Sequence, residues 1–354
     1  MASAIVLASL RTIFKVQSLF MGTFLHPILE QWQANHHWLY LGALAFLIII
    51  GFYLLCKGGD WLTDSASDLA KTLGASPVVI GLTVVSMATS APELFTCLTA
   101  ALKGSYALVA GNLVGSNLAN VGLVLGFALI LRPLKSEKAM PTWQLPFLMG
   151  ASVCFAVLCM MPIGDSEFSH LDGRLGITAM LAFLYFVKKD AGKARETSKQ
   201  ENTSPVGKCL LLLGVSSIML WLGSESLVEG SIGLAREAGV SDAIIGLTLV
   251  AIGTSLPELA ASYSLALRYE HAILLGNVVG SNIFNILFVG GITGMILPFS
   301  IPSEMFEIEF PAMLLITAVL WVLLASRAKL RKPHGILLLT IYFAAIICAT
   351  LMHA

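Results

Sequence analysis

The sequence predicts an all-α integral membrane protein with ten transmembrane helices, arranged as two inverted five-helix repeats. Three observations lead there. Of 354 residues, 57% are hydrophobic and 12% charged, with a mean hydropathy of +0.85, whereas soluble domains carry roughly 25% charged residues. Apolar runs of about 20 residues, enough to cross ~30 Å of hydrocarbon, recur along the chain. Finally, residues 81–93 (GLTVVSMATSAPE) return 165 positions later as residues 246–258 (GLTLVAIGTSLPE).

The first 37 residues hold Arg11, Lys15 and short apolar patches, without the charge–core–cleavage order of a secretory signal. They are expected to form an interfacial extension. Apolar runs then place spans at 39–73, 77–102, 106–131, 143–162 and 171–188, and at 208–238, 243–268, 272–297, 310–327 and 334–352. The first and sixth exceed a perpendicular crossing and should tilt or project. Residues 189–207 are polar and aperiodic, as expected of a linker between a first repeat at 38–188 and a second at 208–354.

Loop charge orients the spans. Arg132, Lys135 and Lys138, the lysines and arginines of the linker, and Arg327, Lys329, Arg331 and Lys332 fall on one side. Asp165, Glu167, Asp172, Glu304, Glu307 and Glu309 fall on the other, with Lys103, Arg174 and Arg236 as exceptions. The basic side is expected to be cytoplasmic, so both termini lie outside. A net charge of zero removes any whole-molecule field for nucleic acid. The six cysteines lack CxxC spacing and nearby histidines, and are expected to be small buried apolar residues.

The repeat runs without a gap over about residues 58–126 against 223–291. A second motif, GNLVGSNLAN at 111–120, returns as GNVVGSNIFN at 276–285. Five spans is an odd number, so the second copy must enter the membrane inverted. That is the plan of secondary transporters, with the substrate near the midplane at the repeat interface.

Each motif places polar groups at membrane depth. Ser86, Thr89, Ser90 and Glu93 stand at i, i+3, i+4 and i+7, so on a helix their oxygens can converge. Ala251, Thr254, Ser255 and Glu258 hold the same positions in the second copy. Pro92 and Pro257 each remove a backbone donor and free a carbonyl. Ser116 and Asn120, like Ser281 and Asn285, are four apart on a shared face. Carboxylates, hydroxyls, amides and open carbonyls are the oxygen ligands that hard cations such as Ca²⁺ take. A glutamate at mid-membrane costs about 2.5–3.5 kcal/mol on insertion scales, which argues for a bound counter-charge over a headgroup position. The motif glycines also suit close helix packing. Asp60, Asp64, Glu225 and Glu229 either line a cation vestibule or lie beyond the hydrocarbon.

The doubled TSAPE/TSLPE with GNxxGSN resembles the cation/Ca²⁺ exchanger superfamily, in particular its prokaryotic Na⁺/Ca²⁺ exchanger branch, over about residues 40–352. The resemblance implies ten helices, with spans two, three, seven and eight as the core and the long first and sixth sliding across it. It implies Glu93 and Glu258 as central Ca²⁺ ligands assisted by Thr89 and Thr254. Ser90, Ser116 and the Ser86 carbonyl would form a Na⁺ site toward the cytoplasm, and Ser255, Ser281 and the Ala251 carbonyl one toward the outside. Asn120 and Asn285 match the positions beside the glutamates. Ser86 stands where alanine is usual and Ala88 where glycine is usual. Asn285 replaces an aspartate found in K⁺-dependent members, so no K⁺ co-transport is expected. The expected activity is Na⁺/Ca²⁺ antiport, with H⁺-coupled exchange of Ca²⁺ or another divalent cation as the alternative. The expected setting is a bacterial inner membrane. Ca²⁺, Na⁺ and lipid are the partners, with no cofactor, nucleic acid or obligate protein partner. An intramembrane enzyme is disfavoured because HExxH is absent and all seven histidines lie outside the motifs.

Overall fold

The computed structural model describes residues 36–134, 143–161, 168–193, 204–239, 253–326 and 329–353. The N-terminal extension, most of the linker, the start of the seventh span with Ala251, and the loop residues Lys135, Lys138, Asp165, Glu167 and Arg327 lie outside them. Among the described residues the architecture is helical, and helix ends fall within a few residues of the expected spans.

Helix α1 (His37–Leu73) ends on Gly74, whose φ of 58° lets its N–H turn back to the carbonyls of Ala70 and Lys71. Then come α2 (Pro77–Thr89) and α3 (Ala91–Leu102), which meet at a 40° bend, and α4 (Tyr106–Leu131). They are followed by α5 (Gln144–Met160), α6 (His170–Lys193), α7 (Val206–Glu237) and α8 (Leu256–Leu267). Last are α9 (His271–Ile296), α10 (Glu309–Ala325) and α11 (Lys332–His353). Both ends of α3 and α8 differ by 165 positions, as do both ends of α5 and α10. By length and apolarity α1, α4, α7, α9, α11 and Ser303–Ala325 can each cross a membrane, and the bent α2–α3 pair makes a seventh.

The layers follow side-chain size. Helices α4 and α9, which carry GNxxGSN, are innermost: 83% and 89% of their apolar windows are buried, against 28% for α1 and α7. The outer helices expose Phe46, Ile49, Phe52, Leu211 and Ile218, a surface suited to lipid. Glycines set the closest crossings. A Cβ on Gly51 of α1 would sit 2.6 Å from the Leu227 nitrogen of α7, and one on Gly276 of α9 would sit 2.5 Å from the Val78 carbonyl of α2.

Two short antiparallel bridges tie the halves together. Leu134, leaving α4, pairs with Leu330, entering α11; Phe299, leaving α9, pairs with Phe168, entering α6. Correspondingly, α11 packs on the end of α4, and α6 on the end of α9. Each half thus covers the other with its last helix.

The cysteine expectation needs correcting. All six are free, but only Cys97 and Cys209 are buried; Cys56, Cys154 and Cys348 lie on the outer surface. An apolar thiol is as well solvated by lipid as by a core, so hydropathy alone could not tell the two apart. Asp60 and Asp64 are paired with Arg268, the residue that caps the end of α8.

Candidate functional site

The site is built where helices are interrupted. Sequence spacing puts Ser86, Thr89, Ser90 and Glu93 on one face of a continuous helix. The structure instead ends α2 at Thr89 and restarts at Ala91, with Ser90 at φ −86°, ψ 2°. Pro92, which lacks an N–H, occupies the first turn of α3, where that donor would have no partner anyway. Glu93 therefore lies in the first turn of α3, facing the positive end of its helix dipole. The second copy does the same at Ser255 (φ −95°, ψ 2°), with Pro257 and Glu258 opening α8. Ser224 of α7 donates to the Gly253 carbonyl at 2.6 Å, holding the chain just before that second break.

Three stretches widen to i→i+5 geometry: Gly81–Val85 in α2, Asn120–Leu125 in α4 and Phe284–Val289 in α9. Such turns loosen the backbone ladder and cluster at functional sites. Helix α8, carrying Glu258, packs against the Asn120 stretch, and α3, carrying Glu93, packs against the Asn285 stretch. Each glutamate helix thus packs on the asparagine-bearing stretch of the other half.

Ser86, Thr89, Ser90, Glu93, Ser116, Asn120, Ser255, Glu258, Ser281 and Asn285 are each at most 3% exposed. Thr254 is partly buried. Glu93 and Glu258 face each other closely enough to interact, and the Thr89 hydroxyl also faces Glu258. Thr89 Oγ1 lies 3.3 Å from Ser281 Oγ, which joins the two halves directly. Ser90, Ser116, Ser255, Asn120 and Asn285 are buried without hydrogen bonds to the rest of the set.

Buried polar groups normally have partners, and an orphan costs about 1–3 kcal/mol. Here many of the orphans belong to the candidate set. All four carboxyl oxygens of Glu93 and Glu258, the hydroxyls of Ser90, Ser116 and Ser255, and both amide groups of Asn120 and Asn285 lack a hydrogen bond. Oxygens left free at the break of two helices suit a hard cation. The acidic component stops at the glutamate pair: among the described residues no group of three or more His, Cys, Asp or Glu assembles.

Four asparagines escaped the candidate set. Asn277 contacts Ser86, Thr89 and Ser281. Asn112 donates to the Glu93 carbonyl at 3.3 Å. Asn282 donates to the Asn117 carbonyl at 3.2 Å, across the α4–α9 contact. The signal was present, since 112 and 277, and 117 and 282, are repeat mates inside GNxxGSN. Helical spacing from Ser116 and Ser281 drew attention to the residues four positions on, and passed over these.

A family profile described as sodium/calcium exchanger protein matches residues 43–189 and 208–351. The sodium/calcium exchanger MaX1 of Methanosarcina acetivorans is 31% identical over 338 residues, spanning 85% of this chain and 97% of that protein. The uncharacterized membrane protein MJ0091 of Methanocaldococcus jannaschii is 35% identical over 311 residues, spanning 87% and 98%. The sodium-calcium exchanger NCX_Mj, solved after soaking with 10 mM Na⁺ and 10 mM Sr²⁺, superposes with a TM-score of 0.75 at 29% identity, covering 87% of this chain and 98% of that one.

Proposed function

We propose that this chain, which belongs to the sodium/calcium exchanger protein family, exchanges Na⁺ for Ca²⁺ across the membrane by alternating access at a midplane site centred on Glu93 and Glu258. One observation carries this: two glutamates from separate helix breaks, each 1% exposed, face each other, and neither carboxyl has a hydrogen bond of ordinary length to the rest of the protein. Like the exchangers it resembles, the chain moves ions and catalyses no covalent reaction.

Around the pair, Thr89 and Thr254 complete the Ca²⁺ site. Ser90, Ser116 and the Ser86 carbonyl take Na⁺ toward the cytoplasm, and Ser255, Ser281 and the Ala251 carbonyl take it toward the outside. Asn120 and Asn285 lie beside the carboxylates. Two carboxylates carry about −2, which one Ca²⁺ or several Na⁺ can balance. An empty site would keep buried, uncompensated charge and resist the inward–outward transition, so the ions exchange rather than leak.

The scaffold we infer has ten helices in two inverted halves, 38–188 and 208–354, preceded by an extension at 1–37 and joined by a cytoplasmic linker at 189–207. The 165-residue spacing of helix ends and the reciprocal covering of each half by the other's last helix support it. Loop charge supports termini outside the cytoplasm, in the inner membrane of a prokaryotic-type cell.

Glu93→Gln and Glu258→Gln test the site. In proteoliposomes each is expected to reduce Na⁺-gradient-driven uptake of radiolabelled Ca²⁺ to background while the protein remains monodisperse. Wild-type flux from either would remove the site. Uptake by the unaltered protein driven by a pH gradient without Na⁺ would assign the H⁺-coupled alternative.

A further inference from the structure

A hydroxyl coordinates a cation through its oxygen lone pairs, so its single proton must be accepted elsewhere. Asn277, a buried residue of α9 outside the ligand set above, stands where that acceptor is needed. Its Oδ1 lies 3.3 Å from Thr89 Oγ1 and 3.4 Å from Ser281 Oγ. Ser86 Oγ is 3.5 Å from the same oxygen but has a nearer acceptor, the Gly81 carbonyl at 2.6 Å. We propose that Asn277 is a positioning residue: its side-chain oxygen accepts the protons of Thr89 and Ser281, so that both hydroxyls present lone pairs to the transported cation. The inference rests on the site proposed above.

The stoichiometry fits, since an amide oxygen has two lone pairs for two protons. Without it, the acceptors left to Thr89 are the Ser86 carbonyl at 3.4 Å, Ser281 Oγ at 3.3 Å and the Glu258 carboxylate that it faces. Thr89 would then occupy a carbonyl of the proposed Na⁺ site or a lone pair of the Glu258 carboxylate, or the two hydroxyls would bond to each other. Either way the cation loses oxygens. The contacts are longer than the usual 2.7–2.8 Å, and a movement of about 0.5 Å would bring them to full strength. The orientation of the amide matters: turned over, Nδ2 would occupy the same hydroxyl lone pairs. The repeat mate is used differently. Asn112 donates through Nδ2 to the Glu93 carbonyl and to Cys97 Sγ, at 3.3 and 3.1 Å, and its Oδ1 has no partner. One amide therefore orients a hydroxyl from each half, while its repeat mate anchors the glutamate helix of the first.

The test uses the full chain, with Ca²⁺ binding measured by calorimetry in detergent. Asn277→Leu, which keeps the shape but removes the acceptor, is expected to weaken Ca²⁺ binding by about tenfold or more. Asn277→Asp, which keeps acceptor oxygens, should stay within about threefold of the unaltered protein. In a Thr89→Val, Ser281→Ala background, Asn277→Leu should add nothing, an outcome that a purely structural role would not produce. Unchanged binding in Asn277→Leu, equal loss in Asn277→Asp, or an undiminished effect in the double-variant background would each overturn the proposal. Should Asn277→Leu fail to purify, Asn277→Asp decides alone: retained binding supports the role and a tenfold loss overturns it. Glu93→Gln assayed in parallel separates the two levels. If it exchanges normally, the site itself is wrong; if it is silent while Asn277→Leu binds normally, only the role of Asn277 falls.

Discussion

Ser86 lies just past an i→i+5 turn, and its hydroxyl is directed into the backbone. The oxygen is 2.6 Å from the Gly81 carbonyl and 3.1 Å from the Asn277 carbonyl, so the side chain ties α2 to α9. The Ser86 N–H also reaches the Gly81 carbonyl, so removing the hydroxyl orphans no buried acceptor there. Ser86→Ala is therefore expected to cost about 1 kcal/mol or less in stability and to shift half-saturation by Ca²⁺ less than about threefold. Thermal unfolding and flux against Ca²⁺ concentration check both, and a tenfold shift would make the hydroxyl itself a ligand. The serine was visible in the sequence as a departure from the family pattern. Its partner was not, because Asn277 lies 191 positions away and meets it only where Gly81 and Gly276 let two backbones touch. The glutamates were legible for the opposite reason. A carboxylate inside an apolar run is conspicuous wherever its partner lies.

At the scale of helices, the connection between α1 and α8 is the least expected. Arg268, at the end of α8, pairs with Asp60 at 3.2 Å and with Asp64. Ser264 donates to Asp60 at 2.9 Å, and Ser67 of α1 donates to Glu270 at 2.9 Å. These links join the long first helix to the helix that opens with Glu258. The three charged side chains are 38%, 43% and 60% exposed, so solvent screens them and each pair contributes less than about 1 kcal/mol. Arg268→Gln should lower stability by about 1 kcal/mol or less, and the deficit should shrink in about 1 M choline chloride, where the Debye length falls to ~3 Å. Unfolding curves at low and high salt decide, and a large salt-insensitive loss would contradict this account. Sequence spacing established that Asp60 and Asp64 share a helix face, but an i, i+4 interval says nothing about what that face meets. The helix breaks were half legible in the same way: Pro92 and Pro257 announced a disturbance, while the 40° bend at Ser90 depends on where the packed halves pull the chain.

For the molecule as a whole, the duplication could be read directly, because a 165-residue offset survives in both motifs and again in the ends of α3, α5, α8 and α10. The exchange of terminal helices could not. The residues that pair across the bridges, Leu134 with Leu330 and Phe168 with Phe299, are ordinary apolar residues that no pattern singles out. That exchange has a measurable consequence. Helix α6 meets α9 so closely that a Cβ on Gly173 would lie 2.6 Å from the Gly291 carbonyl, and α11 meets α4 so closely that one on Gly335 would lie 2.5 Å from the Gly126 carbonyl. Each last helix has a close docking face on the other half, and each half alone holds one glutamate of the pair. Cutting the chain within residues 194–203 should therefore give two fragments that co-purify and recover Na⁺-driven Ca²⁺ uptake when produced together. Each fragment made alone should aggregate and show no Ca²⁺ binding, because the docking face of its last helix and half of the ligand oxygens belong to the other. A first fragment that stayed monodisperse and bound Ca²⁺ by itself would mean that a single repeat is self-sufficient, and that the meeting of Glu93 with Glu258 is not what makes the site.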